Sequence, residues 1–233
     1  MLRQVLNRAL SGNAQASPPG TGRPDPACRL SAPMLGCGAM RYSTDIVVID
    51  LEATCPAEDE GDNAVERSNI IEIGAVRLDR RSLEVTDRFS ELVRPRDYPV
   101  APFIARMTGI TPEMVADRDD FGVVGRRFMA WYGPRNRSVI AAFGAYYDIP
   151  LLRRECAACG LDYGLHIAGG ALDVRAVATI WLAERDERTS GLTLEAILDK
   201  MGVSRAVPLH RAVDDAQAAA AVLQVFHLGR ALA

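Results

Sequence analysis

Asp45-Ile46-Val47-Val48-Ile49-Asp50-Leu51-Glu52 sets four consecutive β-branched residues ahead of a pair of acids. Such a run suits a central strand buried on both faces. Residues two apart on a strand project to the same face, so Asp50 and Glu52 stand together while Leu51 turns into the core. Two adjacent carboxylates at the end of an apolar strand repel each other and lose hydration, and a divalent cation is the usual remedy. A pair of solvated strand-end charges is the plain alternative.

Outward from this strand the pattern stays regular. Ile70 to Leu78 and Arg88 to Val93 read as two further strands, joined as a hairpin through Arg80-Arg81-Ser82. Pro95, Pro99 and Pro102 mark an irregular crossing. A helix opens at Thr111-Pro112, with Thr111 as N-cap, and a second runs from Asp119 to Tyr132 and stops at Gly133-Pro134. Ser138 to Phe143 is a fourth strand, followed by a helix from Asp148 to Ala158. A short strand within His166–Val174 leads into a helix to Glu184. Helices from Leu194 to Met201 and from His210 to Leu228 complete the chain. Three strands and then alternating helices and strands predict an α/β fold with a mixed sheet.

The composition narrows the function. At 233 residues, 48% hydrophobic and 24% charged, the chain is an ordinary globular protein with enough length for a core that needs no disulfides. No run of 18 apolar residues occurs, so no membrane span is expected. A formal net charge of -3 argues against a protein that coats nucleic acid, though not against a nucleic-acid enzyme with an acidic, cation-holding site. Five cysteines without a paired framework fit a reducing compartment, and a cytoplasmic location is expected. Residues 1–41, rich in Pro, Gly, Ser and Ala, read as a disordered tail or an over-long gene start ahead of Met34 or Met40, with a targeting segment as a further reading.

Two more acids and a histidine join Asp50 and Glu52 as candidates. Asp148 follows the fourth strand, where a helix N-cap explains it equally well. His210-Arg211-Ala212-Val213-Asp214-Asp215 brings an acidic pair and a histidine to the start of the last helix. Four carboxylates near element ends favour Mg2+ or Mn2+ over Zn2+, since a single histidine and no cysteine pair accompany them. Cys156-Ala157-Ala158-Cys159 has half a zinc-site spacing, but without a second pair it reads as two reduced helix cysteines. Cys55 has no base nearby, His166 and His227 read as structural, and Arg153-Arg154 as facing water ahead of a phosphate.

Taken in order, Asp50-x-Glu52, Asp148 and His210-x4-Asp215 resemble the five-residue signature of the DEDDh 3'-to-5' exonucleases of the DnaQ-like superfamily. The neighbouring text is similar as well: Ile70-Ile71-Glu72-Ile73-Gly74-Ala75-Val76, Met107-Thr108-Gly109-Ile110-Thr111 and Ala212-Val213-Asp214-Asp215-Ala216. Phe143-Gly144-Ala145-Tyr146-Tyr147-Asp148 is nearest the Eri1-like and KapD-like version, with Phe143 for tryptophan and one residue added before Asp148.

The resemblance implies an RNase H-like mixed five-stranded sheet flanked by helices, over about residues 42–230. It implies a two-metal mechanism in which Asp50 bridges two ions, Mg2+ or Mn2+, Glu52 and Asp215 complete one site, and Asp148 serves the other through water. His210 becomes the general base. Ala53 and Thr54 are expected at the 3'-terminal sugar, through backbone or hydroxyl, and Met107 and Ile110 as an apolar wedge against the terminal base. Core packing is the alternative for Met107 and Ile110. The expected partner is single-stranded nucleic acid with a free 3' end, RNA first and DNA second, released as nucleoside 5'-monophosphates. A proofreading or repair DNA exonuclease is the enzymatic alternative. A binding-only module is expected to have lost one of the five residues, and this chain keeps all of them.

Overall fold

The computed structural model describes residues 42–54, 65–203 and 210–231. The expected tail 1–41 and Cys55 lie outside the described residues. Five strands form one sheet in the order β3-β2-β1-β4-β5: β1 (Asp45–Ala53), β2 (Ile70–Leu78), β3 (Val85–Leu92), β4 (Ser138–Ala142) and β5 (Leu172–Asp173). β1 pairs antiparallel with β2 and parallel with β4, so the sheet is mixed as expected.

Alternation along β1 decides what each face meets. Val47, Ile49 and Leu51 join a core with α3 (Phe121–Tyr132) and α4 (Ala145–Ala158). Ile46 and Val48 face the other way, into a core with α5 (Val174–Ala183), α6 (Leu194–Lys200) and α7 (Ala212–Ala231). Asp50 and Glu52 continue this second row. A third, smaller cluster packs Ile71 against α1 (Pro102–Thr108) and α2 (Pro112–Ala116).

Several local expectations need correction. The proline-marked crossing contains α1, because Pro102 occupies the first helical turn, where its missing N–H costs nothing, and Gly109 at φ 71° closes the helix. Thr111 precedes α2 in an extended conformation, yet its side chain makes no capping bond. α4 begins at Ala145, so Asp148 lies in its first turn and Gly144, left-handed at φ 79°, takes the cap position. β3 starts at Val85 rather than Arg88, because Asp79 accepts the Arg81 and Ser82 N–H groups and tightens the hairpin. Within His166–Val174 only Leu172 and Asp173 pair with the sheet, after a turn of 3-10 helix at Tyr163–Leu165. No described helix is long and apolar enough to cross a membrane.

Candidate active site

The end of β1 carries the site. Carboxylate oxygens of Asp50, Glu52 and Asp215 lie within 4.8 Å of one another. β1 supplies the first two on one face, and α7, packed across that face, supplies the third from its first turn. The β1–β2 register shifts between Glu52 and Ala53, a bulge of the kind that re-aims side chains beside active sites. Asp148 comes from α4, and its carboxylate accepts the backbone N–H of Leu51, the residue between the two β1 acids. The structure therefore sets Asp148 beside the tight trio.

The electrostatics follow from this crowding. Burial, and then the charges of Asp148, Asp215, Glu52 and Glu72, hold the Asp50 carboxyl well above the usual carboxylate range. Burial and the charges of Asp215, Glu72 and Asp148 push Glu52 up to about 8 against the pull of Arg211. Burial lifts Asp148 to about 7 although the Leu51 N–H opposes it. Burial also raises Asp215, against the His210 N–H and the nearby imidazole. Glu52 and Asp148, only 9% and 7% exposed, cannot shed this repulsion into water. An all-oxygen donor set under mutual repulsion fits a hard divalent cation such as Mg2+ or Mn2+.

His210 stands exposed just before α7 with a left-handed backbone (φ 88°), an uncommon state for a residue other than glycine. Its N–H donates to both Asp215 carboxylate oxygens, at 3.3 and 3.2 Å, so the histidine and the acid are fixed to each other. Asp214, in the same turn, is not part of the carboxylate trio.

The expected substrate contacts divide. Met107, on α1, is 49% exposed and offers an apolar surface. Ile110 is completely buried with Ile71, Val100 and Ile104, so core packing accounts for it and the wedge expectation is corrected. Thr54 is also fully buried. Its hydroxyl accepts the Asn69 N–H at 2.7 Å and its own N–H donates to the Asn69 carbonyl, which leaves neither for a sugar. Ala53 is buried at the end of β1, so only its backbone remains for substrate. Arg154 does not face water: it donates to the Val65 and Ser68 carbonyls and pairs with Glu155, while Arg153 lies over the Tyr163 ring. Cys156 and Cys159 are free thiols.

Two buried supports carry no functional signal of their own in the sequence. Asn69 donates to Glu155 through its side-chain N–H and accepts the Asp97 and Tyr98 N–H groups, joining α4 to the segment after β3. Glu72 is buried against Arg211 and the N-terminus of α7. Their partners are distant in sequence, which motif reading does not reveal.

A five-stranded mixed sheet in this order, with a carboxylate cluster at the end of its central strand, defines a nuclease of RNase H-like fold. The chain matches the Exonuclease (RNase T) family over residues 47–223 and belongs to it. It is 33% identical over 184 residues to a Mycobacterium tuberculosis protein provisionally named a bifunctional exonuclease/endonuclease, covering 77% of this chain and 26% of that one. To the 3'-5' exoribonuclease 1 of Rattus norvegicus it is 32% identical over 128 residues, 52% of this chain and 36% of the relative. The chain thus spans about a quarter to a third of these relatives. The nuclease domain of 3'hExo, a DEDDh family member solved with rAMP, superposes with a TM-score of 0.66 at 26% identity, over 78% of this chain and 91% of that one. The chain thus shares its exonuclease family with a 3'-5' exoribonuclease and its fold with a DEDDh nuclease.

Proposed function

We propose that the chain hydrolyses single-stranded RNA or short oligonucleotides stepwise from the 3' end, releasing nucleoside 5'-monophosphates, with Mg2+ or Mn2+ as cofactor. The observation that carries this is the trio Asp50, Glu52 and Asp215, its oxygens within 4.8 Å of one another, with Asp148 and His210 placed beside it. Asp50 would be shared between two cations, Glu52 and Asp215 would complete one site, and Asp148 would serve the other. Bound there, divalent cations neutralise phosphate charge and make water a better nucleophile.

The chain's own groups do the remaining work. His210, held by its backbone to Asp215, takes the proton of the attacking water and, being exposed, returns it to solvent. The water oxygen bonds to phosphorus, the bond to the 3' oxygen of the preceding nucleotide breaks, and that oxygen takes a proton from solvent to leave a 3'-hydroxyl on the shortened strand. Met107 offers an apolar surface to the unpaired terminal base, and stacking of this kind tolerates any sequence. The Ala53 backbone, one residue beyond Glu52, is the group nearest in sequence for the terminal sugar. The exoribonuclease relative and the rAMP-bound neighbour support RNA ahead of DNA.

Matched single-stranded RNA and DNA, labelled at either end, test the reading. A 5'-labelled strand should yield a ladder of shortened products, and a 3'-labelled strand should yield labelled mononucleotide at once. RNA should be consumed faster than DNA. Faster DNA loss would reverse the substrate order, and internal cuts or 5' trimming would refute the proposed polarity.

A further inference from the structure

Glu72 lies among the acids of the site, and the proposed reaction leaves it without a task. Its side chain is 1% exposed. The Arg211 guanidinium reaches both its oxygens, Nε at 3.2 and 3.1 Å and a terminal nitrogen at 2.5 Å. The Ala212 N–H donates to it at 3.0 Å. Both oxygens are therefore taken up by donors from the start of α7, in the two-pronged geometry that makes arginine–carboxylate pairs directional.

The strand register shows what this pairing holds. Glu72 stands directly opposite Glu52, and Gly74 directly opposite Asp50. A Cβ at Gly74 would sit 2.0 Å from the Ala212 carbonyl carbon, so the backbone of α7 lies against β2 at that point. Two residues of β2 thus receive α7, one through bonds and one through the absence of a side chain. The Arg211 carbonyl accepts the N–H groups of Asp214 and Asp215, and the His210 N–H returns to the Asp215 carboxylate. The turn pinned at Arg211 is the turn that carries the histidine and the third acid.

We infer that Glu72 and Arg211 form a clamp that positions His210 and Asp215 over the acids of β1, Glu72 being a positioning residue and not a metal ligand. This rests on the metal-dependent reaction proposed above. The bonds of Glu72 go to Arg211 and Ala212, and its charge adds to the repulsion on Asp50 and Glu52, so its removal shifts the turn and loosens metal binding and proton transfer together. Partners of this kind around metal ligands change affinity or activity by about 10- to 100-fold when removed.

The test uses the full chain with Glu72→Ala, Arg211→Ala, Arg211→Lys, the double alanine variant and Asp50→Ala. Metal affinity is read from the rise in Tm with Mn2+ and from calorimetry, and kcat and KM from 3' shortening of an oligonucleotide. Glu72→Ala and Arg211→Ala should each weaken Mn2+ binding and lower kcat by about 10- to 100-fold with KM little changed. The double variant should fall no further than the worse single one, and Arg211→Lys should recover part of the loss. Should Glu72→Ala fail to fold, the Arg211 variants carry the test, since that side chain is 43% exposed. A Glu72→Ala protein that loses its Mn2+ response as fully as Asp50→Ala, beside an unchanged Arg211→Ala, would make Glu72 a ligand and overturn the clamp. Lower Tm in both variants with unchanged Mn2+ affinity and kcat would reduce the pair to a structural one and overturn it too. A parent protein that binds Mn2+ yet shortens no strand would sink the exonuclease reading, leaving the clamp to be decided on metal affinity alone.

Discussion

Glu52 and Asp148 are acids whose surroundings favour the proton. Without metal they keep it up to about 8 and about 7, whereas ordinary glutamate and aspartate release it near 4.5 and 3.8. The folded chain therefore binds more protons than the unfolded one across that window, and stability falls as pH rises through it. The Tm of EDTA-treated protein should decline between about pH 5 and pH 8. Mn2+ should reverse the decline, most strongly at the upper end, where the ligands have given up their protons. Glu52→Gln should raise the metal-free Tm at pH 8, by about 2–4 °C for each kcal/mol of repulsion relieved, and should blunt the response to Mn2+. His210→Asn should behave in the opposite sense. It should lower kcat by about 10²- to 10⁴-fold, the share of a general base, while the Tm rise with Mn2+ survives. Calorimetric scans beside kinetics on the same samples separate the two kinds of residue.

At the scale of elements, the site depends on how closely α7 lies on β2. Gly74→Ala places a methyl group against the backbone at Ala212, which cannot yield as a flexible side chain would. The variant should lose about 1–3 kcal/mol of stability in denaturant titration and a larger share of activity, because Asp215 and His210 move with the turn. The strands were legible because β-branched runs such as Ile46–Ile49 and Ile70–Ile71 admit few other conformations. α1 is not legible this way, because a proline such as Pro102 marks a break as readily as it opens a helix. The sequence showed residue types at 54 and 110, but neither threonine nor isoleucine announces whether it faces solvent. Both are buried, Thr54 by its bonds to Asn69 and Ile110 by the cluster around Ile71.

For the whole molecule, the carboxylate constellation is legible through its resemblance to a family signature, and what supports it is not. Asp50 and Glu52 share a strand face by alternation alone. The Glu72–Arg211 contact joins residues 139 positions apart and appears only once the chain has folded. The same holds for Asn69 and Glu155, 86 positions apart. As proposed, these acids and His210 act as one metal-dependent site for removing nucleotides from a 3' end. This is tested most directly by titrating Mn2+ into metal-stripped protein with a 5'-labelled RNA strand, parent beside Asp50→Ala and Asp215→Asn, and identifying the released product. Saturable, EDTA-reversible shortening that yields nucleoside 5'-monophosphates in the parent and is lost in both variants is the predicted result. Shortening that persists in either variant or without metal, or Mn2+-dependent strand binding with no shortening, would contradict it.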